Sequence, residues 1–227
     1  MQTLLVMTGP QGSGNHLWSK ILAQTPEVQG WYALSKKYWI NHTAEPFSEL
    51  WQNPSLFQTR FFPDNYYVTS ISCPYTRLGK QIEDVSGRDI PKYKEFIEQA
   101  KSKFNVKVAI IGREANILNY QQQRLRKAST TPQFIEQLDV LMSYDPIFIS
   151  TELLYLYKLS YIKQVSKLLD FPISINSDKL EEILKDNSNL KYIRPVEYAW
   201  LDDELKGKNY EKNIDIIIGD NITQRIS

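Results

Sequence analysis

Apolar residues fall along this chain in two rhythms. At 3–7, 66–72, 106–112 and 147–150 they come as short runs with little polar alternation, rich in β-branched and aromatic side chains. Such runs predict strands buried on both faces of a parallel sheet. Between them the spacing becomes helical. Leu17, Trp18, Ile21 and Leu22 follow the first run, and Tyr93, Phe96, Ile97 and Ala100 lie within 90–104, where Asp89 offers a cap. Further helices are predicted at 114–127, 132–143 and 151–169, the last with a core stripe of Leu154, Tyr157, Tyr161, Val165 and Leu168. Ser177 or Asp178 opens another that runs to 184, and 214–219 offers a last strand or arm.

Strands alternating with helices predict an α/β fold, a three-layer parallel sheet flanked by helices. We expect a single domain over 1–227, with 106–112 as the clearest central strand. The stretch 29–62 departs from the alternation. It is dense in aromatic residues (Trp31, Tyr32, Tyr38, Trp39, Phe47, Trp51, Phe57, Phe61 and Phe62) and is interrupted by prolines. It reads as an insertion of loops and short helices over the sheet edge, either a place for an acceptor to bind or a cover for that edge.

Composition narrows the chemistry by exclusion. Lys and Arg number 27 against 26 Asp and Glu, a formal charge of +1, so no nucleic-acid partner is expected and any anion site must be local. A lone Cys73 rules out an intramolecular disulfide, and with only two histidines no metal site is expected. No apolar run is long enough to span a bilayer, and the N-terminus enters a strand without a signal-like region. A cytoplasmic protein with no membrane partner is the expectation.

The first strand–helix junction carries the distinctive chemistry. Gly9, Gly12 and Gly14 let the backbone approach a ligand closely, and the first amides of the following helix face whatever sits in the turn. The spacing Gly9-x-x-x-x-Gly14 is the first half of a P-loop. Asn15 and His16 stand where nucleotide triphosphatases carry Lys and Ser or Thr. Both the lysine charge on the β/γ phosphates and the loop's Mg²⁺ ligand are therefore missing. This counts against ATP or GTP hydrolysis and leaves a phosphate whose chemistry needs no metal. The plainer alternative is a glycine-rich turn that binds nothing.

The stretch 9–18 resembles the 5′-phosphosulfate loop of PAPS-dependent sulfotransferases, where PAPS is 3′-phosphoadenosine 5′-phosphosulfate. Ser13, Gly14 and the apolar pair Leu17–Trp18 match, while the loop's basic position falls on Gly12 and its Thr/Ser positions on Asn15 and His16. The resemblance implies that Gln11, Gly12, Ser13, Gly14, Asn15 and His16 bind the cofactor. Residues 109–115 are similar to the family's second element, a strand followed by R-[DN]-P, with Glu114 and Ala115 in the last two places. This implies Arg113 on the 3′-phosphate, aided by Gln121 at the position where the family has a serine. The junction 147–154 and the segment 167–172 extend the resemblance, and 191–195 lines up with a basic segment that closes over cofactor in some members.

Sulfuryl transfer to a hydroxyl needs a base for its proton and positive charge on the leaving oxygen. Cytosolic members carry K-T-H-x-P after the second strand, but Ser70-Ile71-Ser72-Cys73-Pro74 stands here and fills neither role. Other branches use a carboxylate from the segment after the first helix, for which Glu27, Glu45 and Glu49 are candidates. The expected assignment is His16 as the cation and His42 as the base, oriented by Glu45. Against it stand His16 as a polar loop residue and His42 as a surface residue. The implied activity moves a sulfuryl group from PAPS to a carbohydrate or small-molecule hydroxyl. Two alternatives are a non-catalytic phosphate or nucleotide binder of the same fold and a divergent small-molecule or nucleotide kinase.

Overall fold

Five parallel strands organise the computed structural model, which describes residues 1–31, 44–76, 88–175, 178–185, 187, 189–190 and 192. The chain begins with β1 (Gln2–Pro10) and α1 (Asn15–Leu22), and then forms the short edge strand β2 (Val28–Gln29). Next come α2 (Ser48–Gln52), a 3-10 turn (Pro54–Gln58) and β3 (Tyr66–Cys73). A small antiparallel pair, β4 (Tyr75–Thr76) with β5 (Arg88–Asp89), precedes α3 (Tyr93–Lys101) and β6 (Phe104–Gly112). The chain continues through α4 (Ala115–Arg126), α5 (Thr131–Ile135), α6 (Leu138–Met142), β7 (Ile147–Ser150), α7 (Thr151–Leu169) and α8 (Asp178–Lys185).

The strand order is β2-β3-β1-β6-β7, and every neighbouring pair is parallel. The centre therefore falls on β1, one place from the expected 106–112. Leu4, Leu5, Val6 and Met7 are fully buried there, as a continuous apolar strand between two covered faces should be. One face packs Leu5, Met7, Val68, Ala109 and Ile111 against α1, α7 and α8. The other packs Leu4, Val6, Tyr67, Ile71, Val108 and Ile110 against α2, α3 and the short helices. These are the three layers the alternation predicts.

The described part of the aromatic insertion covers this second face rather than the sheet edge alone. Trp51 stacks on Phe96 with ring centroids 3.6 Å apart, while Phe47, Phe57 and Phe62 pack edge-on or stacked around Tyr67 and Phe104. Large rings bury much area with few torsions to order, which suits a segment with little secondary structure of its own.

Three of the expected helices differ from expectation. The helix expected over 90–104 is shorter, because Phe104 is drawn into the sheet as the first residue of β6, and Asp89 lies in β5 rather than capping. The expected 132–143 helix divides into α5 and α6. In α7 the ends are as expected, but Lys158 breaks the helix with φ 45° and ψ −121°. Of the expected core stripe Leu154, Tyr161 and Val165 are buried, whereas Tyr157 and Leu168 are exposed (60% and 64%) and Ile162 and Leu169 lie in the core instead.

The chain divides into two compact units, Met1–Asn187 and Ser188–Ser227, and every element named above lies in the first. The expected strand at 214–219, the segment 191–195 apart from Tyr192, Ser177 and His42 fall outside the described residues. Among the described residues no helix is long and apolar enough to cross a membrane.

Candidate functional site

The parallel arrangement brings the ends of β1, β3 and β6 side by side at one edge, where Pro10 pairs with Cys73 and Thr8 with Ile110. Ligands of open α/β sheets gather beyond that edge. Here the chain leaves β1 through the glycine turn and enters α1 with no side chain capping the helix.

Two of the glycines are held where other residues strain. Gly12 has φ 92° and Gly14 φ 121°, with Ser13 between them at negative φ. Alternation of this kind makes successive amides converge on a concavity that attracts anions. A Cβ on any of the three glycines would collide with a different neighbour. At Gly9 it would lie 2.5 Å from Ser13 Oγ and 2.6 Å from the Ile111 carbonyl, at Gly12 2.9 Å from Gln121 Oε1, and at Gly14 2.7 Å from Thr151 Oγ1.

The turn's carbonyls are all engaged. Pro10 O accepts from the Ser13 amide at 3.0 Å, and Gly14 O from the Trp18 amide at 3.0 Å. Gln11 O accepts from Gln122 Nε2 at 2.7 Å, Gly12 O from Arg113 Nη1 at 2.6 Å, and Ser13 O from Thr151 Oγ1 at 2.5 Å. By contrast, the amides of Gly12 and Gly14 have no protein acceptor among the described residues. The Oγ of Ser13, wholly buried, is also unpartnered, as are Gln11 Oε1, Asn15 Oδ1 and Ser70 Oγ, each on a residue at most 5% exposed. Buried polar atoms are normally satisfied, so such a cluster asks for something that can hydrogen-bond it.

The expected cofactor-binding residues thus meet in one place. Gln11, Gly12, Ser13, Gly14, Asn15 and His16 form the turn and the start of α1. Arg113 reaches it from the end of β6, and its Nη1 also donates to Gln121 Oε1. Arg113 is therefore part of the turn's frame as well as a positive charge beside it. Glu114, next in sequence, accepts from the amides of Asn116 (3.0 Å) and Ile117 (2.6 Å) and caps α4, which fixes where the chain turns after Arg113. Asn15, in the place of the P-loop lysine, donates Nδ2 to Ser72 Oγ of β3 at 2.8 Å. His16 lies against Trp31, ring centroids 5.0 Å apart.

Glu45 sits elsewhere, among the aromatic side chains beside β3. Strand β2 pairs with Tyr66 and Tyr67, and farther along β3 the Ser70 amide faces the Glu45 carboxyl. The Phe47 amide donates to Oε2 at 2.9 Å, and the Thr69 hydroxyl, which accepts from Trp51 Nε1, also faces the carboxyl. Burial dominates over these bonds and the Arg60 charge, raising the Glu45 pKa to about 8. At neutral pH this residue is a protonated acid, with Oε1 unpartnered. Cys73, at the end of the same strand, has its thiol pushed up to about 12, chiefly by burial. Among the described residues no cluster of His, Cys, Asp and Glu suits a metal ion.

Sequence reasoning missed two parts of this site. Gln122 is fully buried, and its Oε1 also accepts from the Thr130 amide, Ser129 and Thr131, so it ties the turn to the loop after α4. Thr151 opens α7, in a junction whose sequence pattern marked only a strand meeting a helix. No protein-family model matches the chain, and no curated protein matches it.

Proposed function

We propose that the glycine turn binds the phosphate of a nucleotide without a metal ion, and that the chain is a sulfotransferase-like protein of P-loop architecture using PAPS. One observation carries this reading: a turn with every carbonyl engaged presents unmatched amides and a buried hydroxyl beside a guanidinium. Tetrahedral oxyanions fit that donor set. Bound there, PAPS would supply the sulfuryl group, held by the Gly12 and Gly14 amides and Ser13, with Arg113 and Gln121 framing the turn. His16 stands beside the turn as the candidate cation, and His42 with Glu45 as the candidate base pair. The acceptor would be a carbohydrate or small-molecule hydroxyl.

Titration calorimetry with adenosine 3′,5′-bisphosphate, the desulfated cofactor, tests the reading. Binding is expected without Mg²⁺, and Arg113→Ala should weaken it on the order of tenfold to a hundredfold, the effect of losing a charged hydrogen bond that shapes the turn. Absence of binding by the unaltered protein overturns it.

A non-catalytic binder of the same fold is favoured by the end of β3, where Ser70, Ser72 and a thiol held protonated occupy the places of a base. Bisphosphate binding without sulfate transfer to any of a panel of hydroxyl acceptors would select that reading. The kinase reading requires Mg²⁺-dependent ATP binding, for which Asn15 and His16 supply neither charge nor hydroxyl.

A further inference from the structure

We infer that Thr151 is a positioning residue for the anion cradle, acting through the Ser13–Gly14 peptide; this rests on the reading that the turn binds a phosphorylated ligand. The peptide unit is planar and trans, so its carbonyl and its N–H point in opposite directions. Thr151 Oγ1 holds the Ser13 carbonyl at 2.5 Å, and the Gly14 amide is thereby turned to the other side, where no group among the described residues accepts it. Thr151 is 1% exposed, so water does not compete for that carbonyl.

The same hydroxyl fills the space beside Gly14. With φ at 121°, Gly14 can rotate its flanking peptides more freely than any other residue. Thr151 limits that freedom by contact on one side and by a hydrogen bond on the other. It stands at the first position of a 19-residue helix whose N-cap, Ser150, accepts from the Leu153 amide. The fixed end of α7 is therefore what aims the Gly14 amide, and the cradle is set before the ligand arrives. Preorganised donors bind more tightly because ordering them costs nothing at the moment of binding.

The experiment compares the unaltered protein, Thr151→Val and Thr151→Ser, each titrated with adenosine 3′,5′-bisphosphate and each followed by thermal unfolding. Valine keeps the shape and removes the donor, whereas serine keeps the donor. Affinity should fall about tenfold in Thr151→Val, the value of one buried hydrogen bond, and return to within about twofold in Thr151→Ser. A residue that only stabilises the fold would lower the unfolding temperature and leave the affinity of the folded protein unchanged, and that result overturns the inference alone. No binding by the unaltered protein overturns the phosphate reading and the inference with it. If Thr151→Val does not fold, amide exchange in the unaltered protein decides: the bisphosphate should slow exchange at Gly14, and unchanged exchange there despite binding overturns the inference.

Discussion

Beside α1, the buried side-chain atoms without partners among the described residues include the neutral Ser13 Oγ, Asn15 Oδ1 and Ser70 Oγ. Across the sheet, among the aromatic rings, they include a carboxyl oxygen, Glu45 Oε1. The two sides deal with buried polarity in different ways. Around the turn, every carbonyl has a donor, and the Arg113 guanidinium is engaged with the Gly12 carbonyl. Beside β3, a group that can ionise is kept neutral because the charged form would have to leave water. The contrast gives the aromatic side a carboxyl whose titration is coupled to folding.

Three substitutions test that division. The largest effect is expected from Trp51→Ala, which removes a ring stacked on Phe96 and the donor to Thr69. It should cost about 3–5 kcal/mol in urea denaturation, while sulfate affinity at the turn, measured on the folded protein, stays unchanged. A parallel loss of affinity would mean that the two sides are one energetic unit.

Glu45→Gln comes next. Folding raises the pKa of Glu45, so the folded state keeps its proton after the unfolded state has released it. Its contribution is complete below the unfolded value near 4.5 and is lost as pH rises to about 8, at about 1.4 kcal/mol per pH unit. The glutamine variant should lack this decline. Equal slopes in the two proteins, from denaturation at a series of pH values, would show that Glu45 is not the titrating group.

The smallest change is expected from Glu114→Ala, about 1 kcal/mol for a lost helix cap. Burial opposes the charge of Glu114, but the bonds from the Asn116 and Ile117 amides outweigh it and hold its pKa below the ordinary value. Its stabilisation is present above the unfolded pKa and disappears as pH falls through the folded one, opposite in sign to that of Glu45. Stability curves of both variants against pH should diverge from the unaltered protein at opposite ends of the scale.

The legible parts of the fold were those written in local pattern. Residues 147–150 and 151–169 were readable to their ends, because an apolar run meets Ser150 as a cap. Arg113 was readable as the residue after a buried strand that ends in glycine. The break at Lys158 was not, since nothing in the surrounding residues marks a left-handed position there; Tyr157 and Leu168, expected in the core, are exposed. Gln122 and Thr151 act on backbone carbonyls far away in sequence, and a carbonyl carries no signature of its residue type. The burial of Glu45 depends on Thr69, Trp51 and the rings around them, which only the folded chain assembles.

The glycines of the turn are each bounded by a different crossover of the sheet: Gly9 by β6, Gly12 by α4 and Gly14 by α7. No side-chain change in a neighbouring element would by itself readmit a Cβ: at Gly9 the crowding atoms include the Ile111 carbonyl, and at Gly12 and Gly14 the positive φ strains any other residue whatever the space. The turn's sequence is therefore held at three points by backbone as much as by its neighbours, and these glycines should be the slowest positions of the turn to drift.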